Sequence, residues 1–317
     1  MEKILVINPA IASANLGDFI IEEVTQEYIK EWFSDAFITD IPSHTPIDNL
    51  YFYSLRKPTL TLVTGTNLLQ NFPYPLDRQW DIKISDLTRL NNVTLFGTGW
   101  RHYRYKPHLL TPWFYKKLLH PQNFHSVRDE FTKLTLEKMG FNNVLNTACP
   151  TMWKLTPEFN QTIPTTKASR VVTTLTDYAK DVTKDKLMLE ILKRNYDVVY
   201  LWCQGTDDYQ YYLKNFFDKD IIVLNNSLKA YKDILSEDDL DYVGSRLHGG
   251  IYALRHQKRT IILAVDNRAL EIHKDTNLPV LAREQVENLE ELIQSSWPTI
   301  INLPQESINK FISQFKK

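Results

Sequence analysis

The sequence alternates short apolar runs with amphipathic segments from its start. KILVIN, residues 3–8, is an apolar run of strand length, and GDFIIEEVTQEYIKEWF, residues 17–33, follows it. Within the second segment Ile21, Val24 and Tyr28 fall on one side of a helix, with acids and lysines over much of the rest. A short uninterrupted apolar run is typical of a strand buried on both faces of a parallel sheet. The alternation therefore predicts an α/β fold with parallel strands.

The first half of the chain repeats this pattern, and its apolar runs end in Gly, Asn or Thr. In an open α/β sheet the carboxyl ends of the strands form one edge, and ligands bind at that edge. The residues that follow these runs are therefore the first candidates for a binding site. The further strand segments of this half are 36–41, 59–69, 92–100, 124–130 and 143–151.

A Thr- and Pro-rich stretch, residues 155–169, is typical of a linker, and the strand–helix pattern restarts after it. We expect an N-terminal Rossmann-like domain at 1–155 and a C-terminal Rossmann-like domain at 165–303, facing each other across a cleft. The tail, residues 304–317, has the apolar spacing of a packed helix, and we expect it to pack back on the N-terminal domain.

The charge of the chain is balanced. It has 37 basic and 38 acidic residues in 317, a formal net charge of -1. A nucleic-acid-binding protein usually has a clear basic excess, so this class is not favoured. The balance does not argue against a small anionic ligand that two or three local cations hold.

The two cysteines, Cys149 and Cys203, lack the spacing of a metal site, and two thiols suit a reducing compartment. Cys149 is interpreted as a structural thiol, with a nucleophile as the alternative.

The N-terminal apolar run is too short for a signal-peptide core, and no stretch approaches the roughly 18 apolar residues of a spanning helix. We therefore expect a cytoplasmic protein. An association with the membrane surface is compatible with the sequence.

The heptapeptide GSRLHGG, residues 244–250, holds three of the nine glycines of the chain. It lies between a predicted strand and a predicted helix, where free backbone amides attract anions and Gly249 and Gly250 would let a ligand approach the backbone. Arg246 offers a planar fork for a carboxylate or phosphate, and His248 can transfer protons near neutral pH. If residues 246–248 are extended, Arg246 and His248 share a face and Leu247 turns into the core. The alternative is a glycine turn with two surface polar residues.

Two further segments place charged side chains at strand-to-helix junctions. In HSVRDE, Arg128 is a second candidate cation and Asp129 a helix cap, with a surface Arg–Asp pair as the alternative. In NLGD, Gly17 permits a tight turn, and Asp18 is either a helix cap or a base that faces the cleft. NLGD does not match G-x-G-x-x-G, so a dinucleotide is not favoured.

Polar loops follow other predicted strands on the same edge. The GTN and GTGW segments, at 65–67 and 97–100, could donate amides and side-chain hydrogen bonds to a polyhydroxyl substrate, and Trp100 could stack on a sugar. The alternative is tight turns with one core tryptophan. Rim positions are expected after strands of the second half, at Gln204, Asp266 and Arg268.

With these residues assembled, the chain resembles the polysaccharide pyruvyl transferase family. NLGD, SVRDEFTKLTLEKMGFNNV, SRLHGGIYAL and AVDNR match the family in order over most of the chain, and SRLHGGIYAL is the most specific. The resemblance implies a fold similar to the glycosyltransferase B type, with phosphoenolpyruvate as the donor. It also implies that a sugar of a cell-surface polysaccharide, or of its lipid-linked precursor, receives a pyruvyl ketal.

The resemblance also implies roles for single residues. Arg128 and Arg246 match the arginines that hold the donor's carboxylate and phosphate, and His248 matches the catalytic histidine, here the general acid. Asp18 is a weaker candidate for the base on the acceptor. The remaining candidates are Ser245, Gly249 and Gly250 on the donor side, and Asn15, Gly65, Thr66, Asn67 and Trp100 on the acceptor side. In this interpretation the N-terminal domain binds the acceptor and the C-terminal domain the donor.

No metal and no cofactor is expected beyond phosphoenolpyruvate as co-substrate, and the expected partner is a sugar or lipid-linked oligosaccharide. The chain departs from the family where it has Cys149-Pro150 in place of a common Asp-Pro pair, and GTN in place of a run of glycines. Two other functions stay open: a nucleotide-sugar-dependent glycosyltransferase of the same fold type, and a non-catalytic glycan-binding protein. The sequence leaves the acceptor sugar and the oligomeric state undetermined.

Overall fold

The structure, a computed structural model, describes residues 2–47, 57–72, 79–103 and 108–316. The chain forms two compact units. Unit 1 comprises Met1–Ser13, Ile21–Pro150 and Pro304–Lys317, and unit 2 comprises Ala14–Ile20 and Thr151–Leu303.

Strands and helices alternate along the described chain. The strands are β1 (Lys3–Asn8), β2 (Phe37–Pro42), β3 (Leu60–Thr64), β4 (Val93–Phe96), β5 (His125–Val127), β6 (Val144–Asn146), β7 (Arg170–Thr173), β8 (Val198–Leu201), β9 (Ile221–Val223), β10 (Leu240–Gly244), β11 (Thr260–Ala264) and β12 (Val280–Ala282). The helices are α1 (Leu16–Trp32), α2 (Leu110–Leu118), α3 (Glu130–Lys138), α4 (Pro157–Asn160), α5 (Val182–Asn195), α6 (Asp208–Asn215), α7 (Leu228–Leu235), α8 (Leu247–Arg255), α9 (Asn267–Thr276), α10 (Leu289–Gln294) and α11 (Gln305–Ser313). Short 3₁₀ turns lie at Ile84–Thr88, Pro150–Met152, Asp177–Ala179 and Arg283–Asn288.

Unit 1 contains a parallel four-stranded sheet of order β2-β1-β3-β4 and a parallel pair, β5 and β6. The residues of β1 after Lys3 and all residues of β4 are buried, as expected for strands covered on both faces. Because β1 lies between β2 and β3, the strand order reverses between β1 and β3. In sheets of this type ligands bind outside the carboxyl ends of the strands at that reversal.

Helix α11 packs within unit 1 through its aromatic residues. The ring of Phe311 lies 6.1 Å from that of Trp32 and 5.5 Å from that of Phe96, and the Phe315 ring stacks 5.2 Å from Trp32. The backbone amide of Phe124 donates to Gln314 Oε1 at 2.9 Å. The last helix of the chain is therefore part of the core of unit 1.

Unit 2 is built on one parallel six-stranded sheet of order β12-β11-β10-β7-β8-β9. The first strand of unit 2, β7, lies in the middle of the sheet. Strands β8 and β9 lie on one side of it, and β10, β11 and β12 lie on the other. This is the strand order of a Rossmann fold, and its reversal lies between β7 and β10. The turn after β7 and the GSRLHGG segment after β10 therefore lie at the position where such folds bind ligands.

Both units are thus Rossmann-like, and the α/β fold expected from the sequence is confirmed. Their limits differ from the contiguous segments expected, because Ala14–Ile20 belongs to unit 2 although the chain around it belongs to unit 1. Among the residues described, no helix combines the length and the apolar character needed to cross a bilayer.

Candidate functional site

Arg246 ends the turn between β10 and α8. It is the N-cap of α8, with extended backbone angles (φ -94°, ψ 109°) and no side-chain capping bond. The extended geometry considered for residues 246–248 is incorrect, because Leu247 and His248 are already helical and Leu247 is only half-buried. The helix can begin there because the amide of Gly250 donates to Arg246 O at 3.0 Å.

The guanidinium of Arg246 is buried and held along one edge. Nε donates to Asp208 Oδ2 at 3.1 Å and to Leu175 O at 3.0 Å, and Nη2 donates to both Asp208 Oδ1 and Asp177 Oδ1. Burial alone would lower the pKa of Arg246, but Asp208, Tyr178 and Asp177 together outweigh it and the pKa is raised. Among the described residues Nη1 donates to no protein acceptor. One edge of the guanidinium is therefore fixed, and the other is open to a ligand.

The carboxylate of Asp208 connects three loops at the carboxyl edge of the sheet. It accepts hydrogen bonds from the amides of Gln204 (3.1 Å) and Gly205 (2.8 Å), which follow β8, and from the amide of Asp177 (3.0 Å), which follows β7. Arg246 donates to the same carboxylate and so connects the segment after β10 to these loops. Asp208 is fully buried, and burial raises the pKa of its carboxyl group while the charge of Arg246 opposes that shift.

Gly205 makes room for this arginine. A Cβ atom on Gly205 would overlap Nη2 of Arg246 and lie 3.3 Å from its Cζ. Any side chain at position 205 would therefore displace the guanidinium from its position between Asp208 and Asp177.

A second arginine lies in the same cluster. Arg268 donates from Nε to Asp266 Oδ2 at 2.8 Å, and Nη2 reaches Asp266 and the hydroxyl of Tyr178. Asp266 also caps α9 by accepting from the amide of Arg268 at 2.9 Å. The Tyr178 ring lies 5.0 Å from Cζ of Arg246 and 5.4 Å from Cζ of Arg268. The two arginines predicted separately from the sequence thus share one aromatic ring.

The predicted donor-side residues around His248 have different roles. His248 itself is buried in the first turn of α8. The hydroxyl of Ser245 pairs with that of Thr176 at 2.8 Å, inside the protein. A Cβ on Gly250 would lie 2.7 Å from Cδ1 of Ile262 on β11. Gly250 is therefore required for packing the helix on the sheet, and not for admitting a ligand as the sequence predicts.

The NLGD segment belongs to this cluster, because residues 14–20 are part of unit 2. Asn15 Oδ1 accepts from Gly17 N at 3.1 Å and from Gln204 Nε2 at 2.9 Å, and Leu16 N donates to Gln204 O at 2.9 Å. Asn15 therefore caps α1. Asp18, for which a cap or a base is predicted, is a buried residue of the first turn.

Unit 1 has its own cluster at the carboxyl ends of β3, β4 and β5. Arg128 is buried, donates from Nη2 to Asn67 Oδ1 and to Tyr103 Oη (3.3 Å), and lies 3.4 Å through Nε from Asp129 Oδ2. Asp129 caps α3, as the sequence predicts, by accepting from the amide of Thr132 at 2.7 Å. A Cβ on Gly99, which follows β4, would lie 2.7 Å from Cζ of Arg128. In both units a buried arginine therefore packs against the backbone of a glycine.

Three amides of the two glycine loops of unit 1 bind acceptors inside the protein. Gly65 N donates to Phe96 O at 2.9 Å, Gly99 N to Thr66 O at 2.8 Å, and Trp100 N to Thr132 Oγ1 at 2.9 Å. These three amides are therefore not available to a sugar. Thr66 is half-buried, with a left-handed backbone (φ 49°).

Trp100 lies in the hydrophobic core of unit 1. Its side chain is only 2% exposed, and its ring lies 6.1 Å from that of Tyr115. Because the ring is buried, neither face of the indole can stack on a sugar. Trp100 is a core tryptophan, which was the alternative interpretation of this segment.

The thiols of Cys149 and Cys203 are both buried, and neither is part of a disulfide. Burial raises the pKa of Cys203 to about 12. Cys203 is therefore protonated at neutral pH, and a thiolate nucleophile is not expected there.

Asp177, Tyr178 and Asp208 were not predicted from the sequence as site residues. All three follow carboxyl ends of strands of unit 2, the same signal that identified Gln204 and Asp266. Asp208 is the second acid of the QGTDD stretch, and TDY lies at the end of the β7 segment. Applied to every strand of the second half, this signal would have included them.

Solved structures similar in fold to this chain include sugar-nucleotide epimerases. The Methanocaldococcus jannaschii UDP-GlcNAc 2-epimerase in complex with UDP-GlcNAc and UDP has a TM-score of 0.54 at 10% identity, covering 99% of this chain and 99% of that chain. A candidate UDP-N-acetylglucosamine 2-epimerase from Listeria monocytogenes has a TM-score of 0.53 at 9% identity, covering 98% and 90%. At these identities the likeness concerns the fold, and it agrees with the expected glycosyltransferase B type.

No curated protein matches the sequence. The family model described as polysaccharide pyruvyl transferase matches residues 15–267, a range that includes every predicted site residue except Arg268. Since the match covers most of the chain, this protein belongs to the polysaccharide pyruvyl transferase family and is a transferase.

Proposed function

We propose that the protein transfers the pyruvyl group of phosphoenolpyruvate to two hydroxyl groups of one sugar, forming a ketal. The acceptor is a cell-surface polysaccharide or its lipid-linked precursor. The observation that carries the proposal is the open Nη1 edge of Arg246, beside the first turn of the helix that holds His248. A guanidinium edge at the N-terminus of a helix suits a small ligand with acidic groups.

The reaction as a whole moves one hydroxyl proton to carbon and one to phosphate, and it breaks the C–O bond to phosphate. His248, as general acid, protonates the methylene carbon of phosphoenolpyruvate, and the first sugar hydroxyl adds to C2. The bond between C2 and the phosphate oxygen then breaks, and the second hydroxyl closes the ketal. The sugar gives up two hydroxyl protons. One replaces the proton that His248 gave to carbon, and the other leaves with phosphate. Asp18 is the proposed base for the acceptor.

We propose that no metal and no further cofactor takes part, since guanidinium groups can bind the acidic groups of the donor and side chains can transfer the protons. Full activity after dialysis against a chelator supports this proposal, and loss of activity that magnesium restores would overturn it. A lipid-linked acceptor would bring a cytoplasmic protein to the inner face of the membrane. Sedimentation with acceptor-bearing vesicles, compared with vesicles lacking the acceptor, tests that part.

The deciding experiment incubates the purified protein with phosphoenolpyruvate and glycan or lipid-linked acceptor isolated from the source organism. Phosphate release together with a pyruvyl ketal on the acceptor is the expected result. His248→Gln should lower turnover by about 10²–10⁴-fold, because it removes the general acid. The exposed His108 offers a matched control, and His108→Gln should retain turnover. Consumption of a nucleotide sugar without any use of phosphoenolpyruvate would overturn the proposal.

A further inference from the structure

Tyr178 is a large side chain in an exposed position. It lies in the 3₁₀ turn after β7, beside the strand reversal of unit 2, and it is 57% exposed. Its ring nevertheless contacts two guanidinium groups, those of Arg246 and Arg268, and its hydroxyl bonds Nη2 of Arg268. An exposed tyrosine that contacts two cations needs an explanation other than core packing.

The two arginines are held in the same manner. Asp208 binds Arg246, and Asp266 binds Arg268, in each case through Nε and Nη2. Among the described residues neither Nη1 atom donates to a protein acceptor. Each arginine therefore keeps one hydrogen-bonding edge for a ligand, and Tyr178 holds the two arginines around one ring.

The charge balance makes this positioning important. Three carboxylates, those of Asp177, Asp208 and Asp266, face the two arginines, so the cluster has no excess of positive charge. The net electrostatic field of the cluster therefore contributes little to the binding of an anion. The affinity for an anion comes instead from hydrogen bonds that the Nη1 groups donate, and these bonds depend on the positions of both side chains. Arg268 is partly exposed and long, so the position of its guanidinium depends on Asp266 and Tyr178.

We propose that Tyr178 is a positioning residue that gathers Arg246 and Arg268 into a two-arginine site for a small organic acid with two anionic groups. This inference rests on the proposed function, in which that acid is phosphoenolpyruvate with its carboxylate and phosphate. The second cation of the donor site is then Arg268 of unit 2, in place of Arg128, to which the resemblance gives that role. Tyr178 acts through the arginines and takes no part in proton transfer.

The test compares three variants with the wild-type protein. Tyr178→Leu removes the ring, and Tyr178→Phe keeps the ring but removes the hydroxyl. Tyr209→Leu is the matched control, since Tyr209 is a 41% exposed tyrosine of the same unit outside the cluster. Calorimetry measures the dissociation constant of phosphoenolpyruvate, and steady-state kinetics measures kcat and the KM of each substrate.

Tyr178→Leu should raise both the dissociation constant and the KM of phosphoenolpyruvate about 10-fold, because the arginines lose their common support. The KM of the acceptor should stay within about 2-fold, as expected of a residue that acts on the donor alone. Tyr178→Phe should recover most of the donor affinity, and Tyr209→Leu should equal the wild-type protein.

Two results would overturn the inference alone, provided the wild-type protein uses phosphoenolpyruvate. One is an unchanged donor KM in Tyr178→Leu. The other is an equal rise in Tyr209→Leu, or in the KM of the acceptor, which would indicate a general structural effect. If the wild-type protein neither binds nor consumes phosphoenolpyruvate, the proposed function fails and this inference fails with it.

Discussion

Nε of Arg246 donates to Oδ2 of Asp208 at 3.1 Å, and both side chains are buried. The pair combines two opposite charges in the interior with hydrogen bonds that reach three loops. Removing one member of such a pair leaves an uncompensated charge, which costs far more than the pair itself contributes.

Asp208→Ala should therefore lower the free energy of unfolding by about 3–5 kcal/mol, because the Arg246 charge loses its main buried partner. Urea unfolding followed by fluorescence measures this change. The neighbouring Asp207 is exposed and makes no capping bond, so Asp207→Ala should stay within about 0.5 kcal/mol. Equal losses in the two variants would contradict the assigned role of Asp208.

Gly99→Ala should impair the protein through Arg128, because the added Cβ would lie 2.7 Å from Cζ of that arginine. If Arg128 contacts a substrate, as the family resemblance implies, a displacement of this size lowers turnover by roughly 100-fold. A double-mutant cycle measures the coupling: in an Arg128→Ala background, Gly99→Ala should have little further effect on turnover. Additive losses would show that position 99 acts by another route.

The stability of the protein should depend on His125 under mildly acidic conditions. His125 is fully buried, its Nδ1 accepts from Leu95 N at 3.2 Å, and Nε2 therefore carries the proton that it donates to His120 O at 2.9 Å. Burial lowers the pKa of His125 to about 4. The neutral ring of the folded state thus binds a proton less readily than the ring of the unfolded chain.

Between about pH 6.5 and pH 4 the unfolded state binds more protons at this residue, so stability falls as the pH falls through that range. The expected loss is about 3 kcal/mol, complete near pH 4. Urea unfolding at several pH values measures it. His125→Gln should remove this part of the pH dependence, while His102→Gln, at an exposed position, should keep it. Parallel curves for the wild-type protein and His125→Gln would refute the prediction.

Phe311→Ala should destabilise unit 1 by about 3–5 kcal/mol, because the ring is buried between Trp32 and Phe96 and its loss leaves a cavity. Asn309→Ala, on the exposed side of the same helix, should change stability by less than about 0.5 kcal/mol. Thermal unfolding of the two variants side by side measures the difference. A small effect of Phe311→Ala would mean that α11 is not part of the core.

Sequence patterns predicted the elements of the fold well because each arises from neighbouring residues. Apolar runs gave the strands, the helical spacing of Ile21, Val24 and Tyr28 gave α1, and Asp129 before a helical segment gave the cap of α3. The position of the loops at the carboxyl edge follows from the parallel order of the strands.

The partners of the arginines could not be predicted in this manner. Asp208 lies 38 residues before Arg246, and no periodicity connects them. Arg246 caps α8 without a typical capping side chain, so the start of that helix was also missed. Trp100 looked like a binding residue because a tryptophan after glycines is compatible with either a surface or a core, and only packing decides between them.

The hydrogen bond between Gln204 and Asn15 spans 189 residues. At a synthesis rate of about 5–20 residues per second, Asn15 is synthesised roughly 10–40 s before Gln204. The loop that carries Asn15 therefore lacks this partner until residue 204 is made, and the cluster of unit 2, which extends to Arg268, is completed late in synthesis. A nascent chain released before residue 204 would contain the NLGD segment without the glutamine that holds it.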